Sequence, residues 1–206
     1  MRAPILWYFA DPMCSWCWGF SPAIAALRDE YRERLRIALV LGGLRHETAP
    51  MTAAQREEIL HHWHAVRDRT GQPFRFDGAL PEGFVYDTEP ACRAVATMGG
   101  LDPALTFPLF QSIQSAFYAE GRDVTQADAL AALAAGLGVD AGRFRTAFDS
   151  DEAHARVQAH FRQARLAGVR GFPTLILQQD AQLQPIASGC QSLDAVRRAL
   201  ESKLAA

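Results

Sequence analysis

The sequence predicts an α/β protein in which one small sheet domain is interrupted by a block of helices. Three observations carry this. The first 45 residues read strand, helix, strand. Nearly every patterned segment from about residue 52 to 168 is helical. Strand signals then return near the C-terminus and are followed by a last amphipathic helix. A two-stranded βαβ piece cannot cover its own sheet, so the two outer segments are read as halves of one domain. The expected division is residues 1–45 with 169–206 as a discontinuous sheet domain, and residues 46–168 as an inserted all-helical domain.

Taken in order, Pro4 to Phe9 (PILWYF) is a short apolar run stopped by Asp11-Pro12, which reads as a buried strand. The run is too short for the core of a leader, and no A-x-A-like cleavage pattern follows it. Ile24, Leu27, Tyr31 and Leu35 recur at helical steps, with Arg28, Asp29, Glu30 and Arg32 between them. Arg36 to Leu41 (RIALVL) is a second strand closed by Gly42-Gly43. Thr52 to Arg69 reads as a polar helix rich in His and Arg, and Thr88 to Met98 as another with Pro90 near its start. Asp102-Pro103 reads as a cap and first turn, with Leu109, Ile113 and Phe117 as the apolar stripe behind it. Thr125 with Asp128 has capping-box spacing ahead of Leu130, Leu133 and Leu137. Short helices are expected around Phe144–Phe148 and Asp151–Ala167, the latter ending at Gly168. Thr174 to Leu177 is a strand and Leu183 to Ala187 a weaker one. Ser192 caps a final helix with Leu193, Val196, Leu200 and Leu204 on one face.

Composition narrows the function. The 206 residues are 49% hydrophobic and 21% charged, with 21 Lys+Arg against 23 Asp+Glu and a formal net charge of −2. That balance argues against a strongly basic nucleic-acid or membrane-surface protein. No apolar run approaches the roughly 18 residues that span a bilayer. Four cysteines at this length are no secreted disulfide framework, and the expected compartment is the cytoplasm.

Two of the four cysteines form Cys14-Ser15-Trp16-Cys17 at the start of the first helix. The spacer sets the thiols about one helical turn apart, within disulfide reach. The first cysteine sits at the positive end of the helix, where unpaired N–H groups favour a thiolate. Cys14 is therefore read as the nucleophile that forms a mixed disulfide, and Cys17 as the thiol that resolves it. Trp16 and Trp18 are expected to add an apolar rim for substrate. Asp11 either takes a proton from Cys17 or caps the turn, and the cap is the favoured role. A competing reading is a zinc-holding or non-catalytic binding module. A closed zinc site wants four ligands, but Cys92 and Cys190 stand alone and His61, His62 and His64 share one helix. Cys92 is expected to be a small buried hydrophobe, and Cys190 a structural thiol that lies just after the last strand. His61 and His64 are expected to be solvated or to touch substrate. Arg32, Arg34 and Arg36 are expected at a solvated helix end, and Phe107, Phe110 and Phe117 in the helical core.

Gly171-Phe172-Pro173-Thr174 precedes the third strand. On local sequence an ordinary trans proline is the better reading, since only about 5–6% of X-Pro bonds are cis. A cis bond there would leave the Phe172 backbone open to pair with an extended substrate.

Together these residues resemble the DsbA family of thioredoxin-fold proteins, and within it the FrnE-like cytoplasmic branch. The resemblance rests on Asp11-Pro12-Met13-Cys14-Ser15-Trp16-Cys17-Trp18-Gly19, Gly42-Gly43-Leu44-Arg45, Tyr86-Asp87-Thr88-Glu89-Pro90, Gly171-Phe172-Pro173-Thr174 and Gly189-Cys190-Gln191. Pro22, five residues after Cys17, matches the kinking proline of such active-site helices. The resemblance implies a thioredoxin-like domain with an inserted helical domain over the active site. It also implies a cis Pro173 facing the dithiol, and a thiol–disulfide oxidoreductase or isomerase. It implies Phe172 and Pro173 as substrate-binding residues, protein or small-molecule thiols and disulfides as substrates, and no tightly bound cofactor. Glutathione enters as a redox partner or co-substrate. Related kappa-class glutathione transferases and 2-hydroxychromene-2-carboxylate isomerases suggest a second activity, a glutathione-dependent isomerase or transferase. Those enzymes typically carry Ser where this chain has Cys14.

Overall fold

The computed structural model describes residues 3–205. Residues 1–2 and 206, the extreme ends of the expected sheet domain, lie outside the described residues.

Strand β1 (Ile5–Ala10) leads into helix α1 (Ser15–Glu30) and strand β2 (Arg36–Leu41). The helices α2 (Ala53–Thr70), α3 (Glu89–Leu101), α4 (Thr106–Tyr118), α5 (Ala127–Gly136), α6 (Ala141–Phe148) and α7 (Asp151–Leu166) follow. The chain then closes with β3 (Thr174–Gln179), β4 (Gln182–Ser188) and α8 (Leu193–Leu204). The sheet order is β2-β1-β3-β4, with β1 parallel to β2 and antiparallel to β3, and β4 antiparallel to β3. This is an α/β thioredoxin-like arrangement whose sheet is assembled from both ends of the sequence.

The central strand dictates the layering. Alternation along β1 sends Leu6, Tyr8 and Ala10 to one face, where they join Phe20, Ile24 and Leu27 of α1 in the main core. Trp7 and Phe9 point the other way, into a smaller cluster with Val40 and Ala164 of α7. Helices therefore cover both faces, and each fully buried Leu or Ile contributes about 1.5–3 kcal/mol. Pro185 lies within β4, which is tolerable because β4 is an edge strand and the β3–β4 register shifts at that point.

Several local expectations need correction. Asp102 does cap a turn, accepting from Ala104 N–H at 2.9 Å. That turn is a 3-10 segment, Pro103–Leu105, and α4 begins only at Thr106. The Thr125–Asp128 capping box does not form. Thr125 donates both its N–H and its hydroxyl to Asp123, while Asp128 pairs with Arg145. A real capping box holds the start of α2, where Thr52 and Gln55 exchange hydrogen bonds at 3.2 and 2.8 Å. Arg34 is not merely solvated: it bonds Glu201 of α8 through two guanidinium nitrogens, at 2.6 and 2.9 Å.

Candidate functional site

The site grows out of the Asp11-Pro12 turn. Met13 N–H donates to Asp11 Oδ1 at 2.8 Å and Cys14 N–H to the Asp11 carbonyl at 3.1 Å, which ends β1 and swings the chain into α1. Cys14 is the residue that caps α1: its backbone is extended, and its carbonyl accepts the first helical bond, from Trp18 N–H at 3.0 Å. Cys17 is thus the third residue of the helix, one turn along. Both are free thiols. No side chain caps this N-terminus. The Cys14 thiol instead donates to the Phe172 carbonyl at 3.6 Å.

That carbonyl belongs to the Phe172–Pro173 peptide, which is cis, as the family resemblance implies. Pro173 is anchored by Gly189 N–H, which donates to its carbonyl at 2.8 Å. The Phe172 ring rests over Gly42, where a Cβ would stand only 2.0 Å from ring atom Cζ. Glycine at position 42 is what lets the ring lie there.

Cys14, Trp16 and Phe172 open onto one cleft of about 290 Å³, near the lower end for small-ligand sites. Leu44, Arg45 and Tyr86 form one side, and Glu58, Ile59, His62 and Trp63 of α2 form the other. Cys14 is only 5% exposed and Cys17 is fully buried, so Cys14 is the sulfur that meets the cleft. Burial pushes the Cys17 thiol well above its ordinary range, and the adjoining Cys14 sulfur adds to the effect. Cys17 is therefore held as a thiol in the resting dithiol.

Asp11 does more than cap. Its carboxyl group is fully buried and also accepts from Leu44 N–H at 2.7 Å, Thr88 Oγ1 at 2.8 Å and the Cys92 thiol at 3.3 Å. One side chain thus fastens the cysteine turn to the cleft wall and to α3. Burial raises its pKa above the usual carboxylate value, while these four donors pull it back. Cys92 is buried as expected, but it is a hydrogen-bond donor and not simply a small hydrophobe. Burial and Asp11 keep its thiol well above the ordinary range.

Trp18 departs from expectation. It does not rim the cleft; it turns into the helical layer, stacks on Tyr118 and donates Nε1–H to the Pro73 carbonyl at 3.0 Å. As the fourth residue of α1 it faces away from Trp16, which does line the cleft with Arg69 over its ring. His61 and His64 also stay outside: His64 stacks flat on Phe76 at 3.9 Å. His62 is the histidine that reaches the cleft, on the same helical face as Glu58, Ile59 and Trp63. The apolar spacing of Ile59, Trp63 and Val66 is the sequence signal that would have found it. Cys190 is half-buried beside α2, where Arg69 donates to its carbonyl at 3.2 Å. Burial raises its thiol pKa, opposed by Arg69. Among the described residues, no three His, Cys, Asp or Glu side chains are grouped so as to hold a metal ion. No helix among them is long and apolar enough to cross a membrane.

Comparison with known proteins places this geometry. The family described as "DSBA-like thioredoxin domain" matches residues 5–201. A solved Nitrosomonas europaea protein, provisionally named a protein disulfide isomerase, is 45% identical with a TM-score of 0.93. The match covers 99% of this chain and 98% of that one. The cytosolic disulfide reductase DsbM of Pseudomonas aeruginosa is 33% identical with a TM-score of 0.82, covering 98% of each chain, and a structure of it with GSH is also similar. The ClpXP adapter protein SpxH of Halalkalibacterium halodurans is 24% identical over 188 residues, 87% of this chain and 60% of the relative. This chain thus spans about 60% of the length of the curated relatives it matches.

Proposed function

The chain belongs to the DSBA-like thioredoxin family, and from that premise we propose that it is a thiol–disulfide oxidoreductase working through the Cys14–Cys17 dithiol. The observation that carries the reading is the placement of Cys14. It caps α1, opens onto the cleft and touches the carbonyl of the cis Phe172–Pro173 peptide, with Cys17 buried one turn behind it.

Cys14 as thiolate attacks a substrate disulfide. One substrate sulfur leaves as a thiol, and the other remains bound to Cys14. Cys17 then attacks Cys14, releasing the second substrate thiol and leaving a Cys14–Cys17 disulfide. Run backwards, the same steps donate a disulfide. Phe172 and Pro173 hold the extended substrate backbone beside Cys14, and Trp16 supplies an apolar wall. Asp11 acts as a modulator by fixing the turn that carries both sulfurs.

The cleft favours a small or extended thiol compound over a folded surface. Residues 46–168, read as an inserted helical domain, supply its α2 wall. Glutathione fits as redox partner, and the GSH-bound relative supports that choice. The cytoplasm, where glutathione keeps such a pair cycling, is the compartment this reading favours.

Trapping tests the reading. Cys17→Ser should accumulate mixed disulfides that disappear in Cys14→Ser. Inability of the intact pair to exchange with any disulfide, from oxidised glutathione to insulin, would defeat the reading. Activity that survives Cys17→Ser and saturates with glutathione would mark an isomerase or transferase instead.

A further inference from the structure

Tyr8 lies near the end of β1, on the face that carries Leu6 and Ala10 into the core. Its ring is fully buried and held by three others: Phe20 of α1 at 6.1 Å, and Phe107 and Phe110 of α4 at 6.5 and 6.1 Å between centroids. Phenylalanine would fill that volume without burying a hydroxyl. The Tyr8 hydroxyl has no satisfied hydrogen bond among the described residues. An unmade buried hydrogen bond costs the full desolvation of the group, so native proteins keep few of them, and each needs a reason.

The surroundings supply one. Tyr8, Cys14 and Cys17 share one buried cluster, and beyond burial the groups that bear most on the Tyr8 hydroxyl are thiols, Cys17 foremost, then Cys14 and Cys190. Cys17 is itself fully buried. A neutral thiol is a weak acceptor, so the hydroxyl stays idle in the resting dithiol. A Cys17 thiolate would be a strong acceptor and would make a charge-assisted bond.

We propose that Tyr8 is a pre-placed hydrogen-bond donor to the Cys17 sulfur in its anionic form, and that it accelerates discharge of the mixed disulfide. The inference rests on the reading of Cys17 as the resolving thiol. In that step Cys17 gives up its proton, and its electron pair attacks Cys14 Sγ. The Cys14–Cys17 bond forms as the bond from Cys14 to the substrate sulfur breaks. The leaving thiolate takes the electron pair and, through solvent, the proton. Two protein sulfurs are oxidised and the substrate disulfide is reduced, with no outside oxidant. Tyr8 donates without ionising, because burial and the neighbouring thiols hold its own pKa well above the ordinary phenol value. The donor is in place before charge develops, so no reorganisation is needed when the anion forms.

Single-turnover reaction of the full chain with 5,5′-dithiobis(2-nitrobenzoate) tests this. The first release of coloured thiolate reports attack by Cys14, and the second reports resolution by Cys17. In Tyr8→Phe the ratio of second-phase to first-phase rate should fall about tenfold or more, the size expected for a lost bond to a charged group. Site-specific 3-fluorotyrosine at position 8, a stronger donor of nearly the same shape, should raise that ratio. An unchanged ratio in folded Tyr8→Phe overturns the proposal, as does a fluorinated protein that is no faster. If Tyr8→Phe does not fold, the fluorinated protein decides alone. A wild-type protein that releases only one equivalent defeats the resolving role of Cys17 itself, a separate outcome.

Discussion

Gly42→Ala is a one-carbon change aimed at the cleft wall. The added Cβ would stand 2.0 Å from Phe172 Cζ and 2.4 and 2.5 Å from the two Cε atoms. Carbon atoms pack at about 3.5–4.0 Å, so the ring must retreat by about 1.5–2 Å. Retreat loosens its contact with the Phe9, Val40 and Ala164 cluster. Overpacking of this kind costs about 1–3 kcal/mol. The lower half of that range is expected, because Phe172 is only half-buried and its ring can swing toward the cleft. The larger effect should fall on function, since the ring and the carbonyl that touches Cys14 belong to one residue. A shift of about 1 Å at a positioning group can cost up to about a hundredfold in rate. Urea unfolding should show a loss of about 1–2 kcal/mol, and kcat/KM for reduction of a small disulfide should drop at least about tenfold. Adding Phe172→Leu to Gly42→Ala should recover stability and leave activity low, a non-additive pair typical of direct contact. A Gly42→Ala protein with wild-type stability and activity would refute the packing argument and the assignment of Phe172 to substrate positioning.

Other changes should separate packing from charge. Gly136 ends α5, and nothing within 4 Å would meet an added Cβ there; Gly136→Ala should therefore stabilise by about 0.5–1 kcal/mol in the same urea assay. His160 Nδ1 accepts from Leu41 N–H at 3.4 Å, and burial, helped by Arg156, holds its pKa below 6.5. The folded protein thus binds this proton less readily than the unfolded chain. The stability it contributes is present above pH 6.5 and lost as pH falls through the folded value. Replacing His160 with Gln should flatten that dependence in unfolding curves taken across the window. Glu201 is pulled down to about 2 by hydrogen bonds from Arg34 and Tyr31. Its contribution is present above 4.5 and lost as pH falls toward 2. Because the pair is half-exposed, solvent screening should limit the cost of Glu201→Gln at neutral pH to less than about 1 kcal/mol.

The strand–helix–strand start and the helical middle were legible because hydrophobic period and turn residues agree there. The Cys-x-x-Cys pair was legible for the same reason: Asp11-Pro12 ends a strand just where a helical pattern begins. Ser192, which accepts from Ala195 N–H at 3.3 Å, keeps its cap because the nearby Asp194 lies inside the helix and is taken by Arg197. At Thr125 the neighbour Asp123 is a competing acceptor, and it takes the bonds the capping box would have used. The direction of Trp18 was not legible, since Trp16 and Trp18, two residues apart, lie on nearly opposite sides of the helix, about 200° round it, and only the tertiary partner decides which is buried. The ties from Asp11 to Leu44, Thr88 and Cys92 join segments 33 to 81 residues apart. No local pattern reports a contact of that range. Tyr8 looked like one more apolar residue in a strand, because an unsatisfied hydroxyl becomes visible only when its surroundings are known.

Cys14 and Cys17 are proposed to work as one redox unit, and a glutathione redox titration reads that coupling. Protein equilibrated at graded ratios of reduced to oxidised glutathione is quenched, alkylated and weighed, and the modified cysteines are mapped. Cys14 and Cys17 should lose alkylation together, as an intramolecular disulfide. The dependence should be two-electron, about 30 mV per tenfold change in the equilibrium constant. Independent oxidation of the two cysteines, or Cys14 capped by glutathione while Cys17 stays a thiol at every ratio, would contradict that coupling.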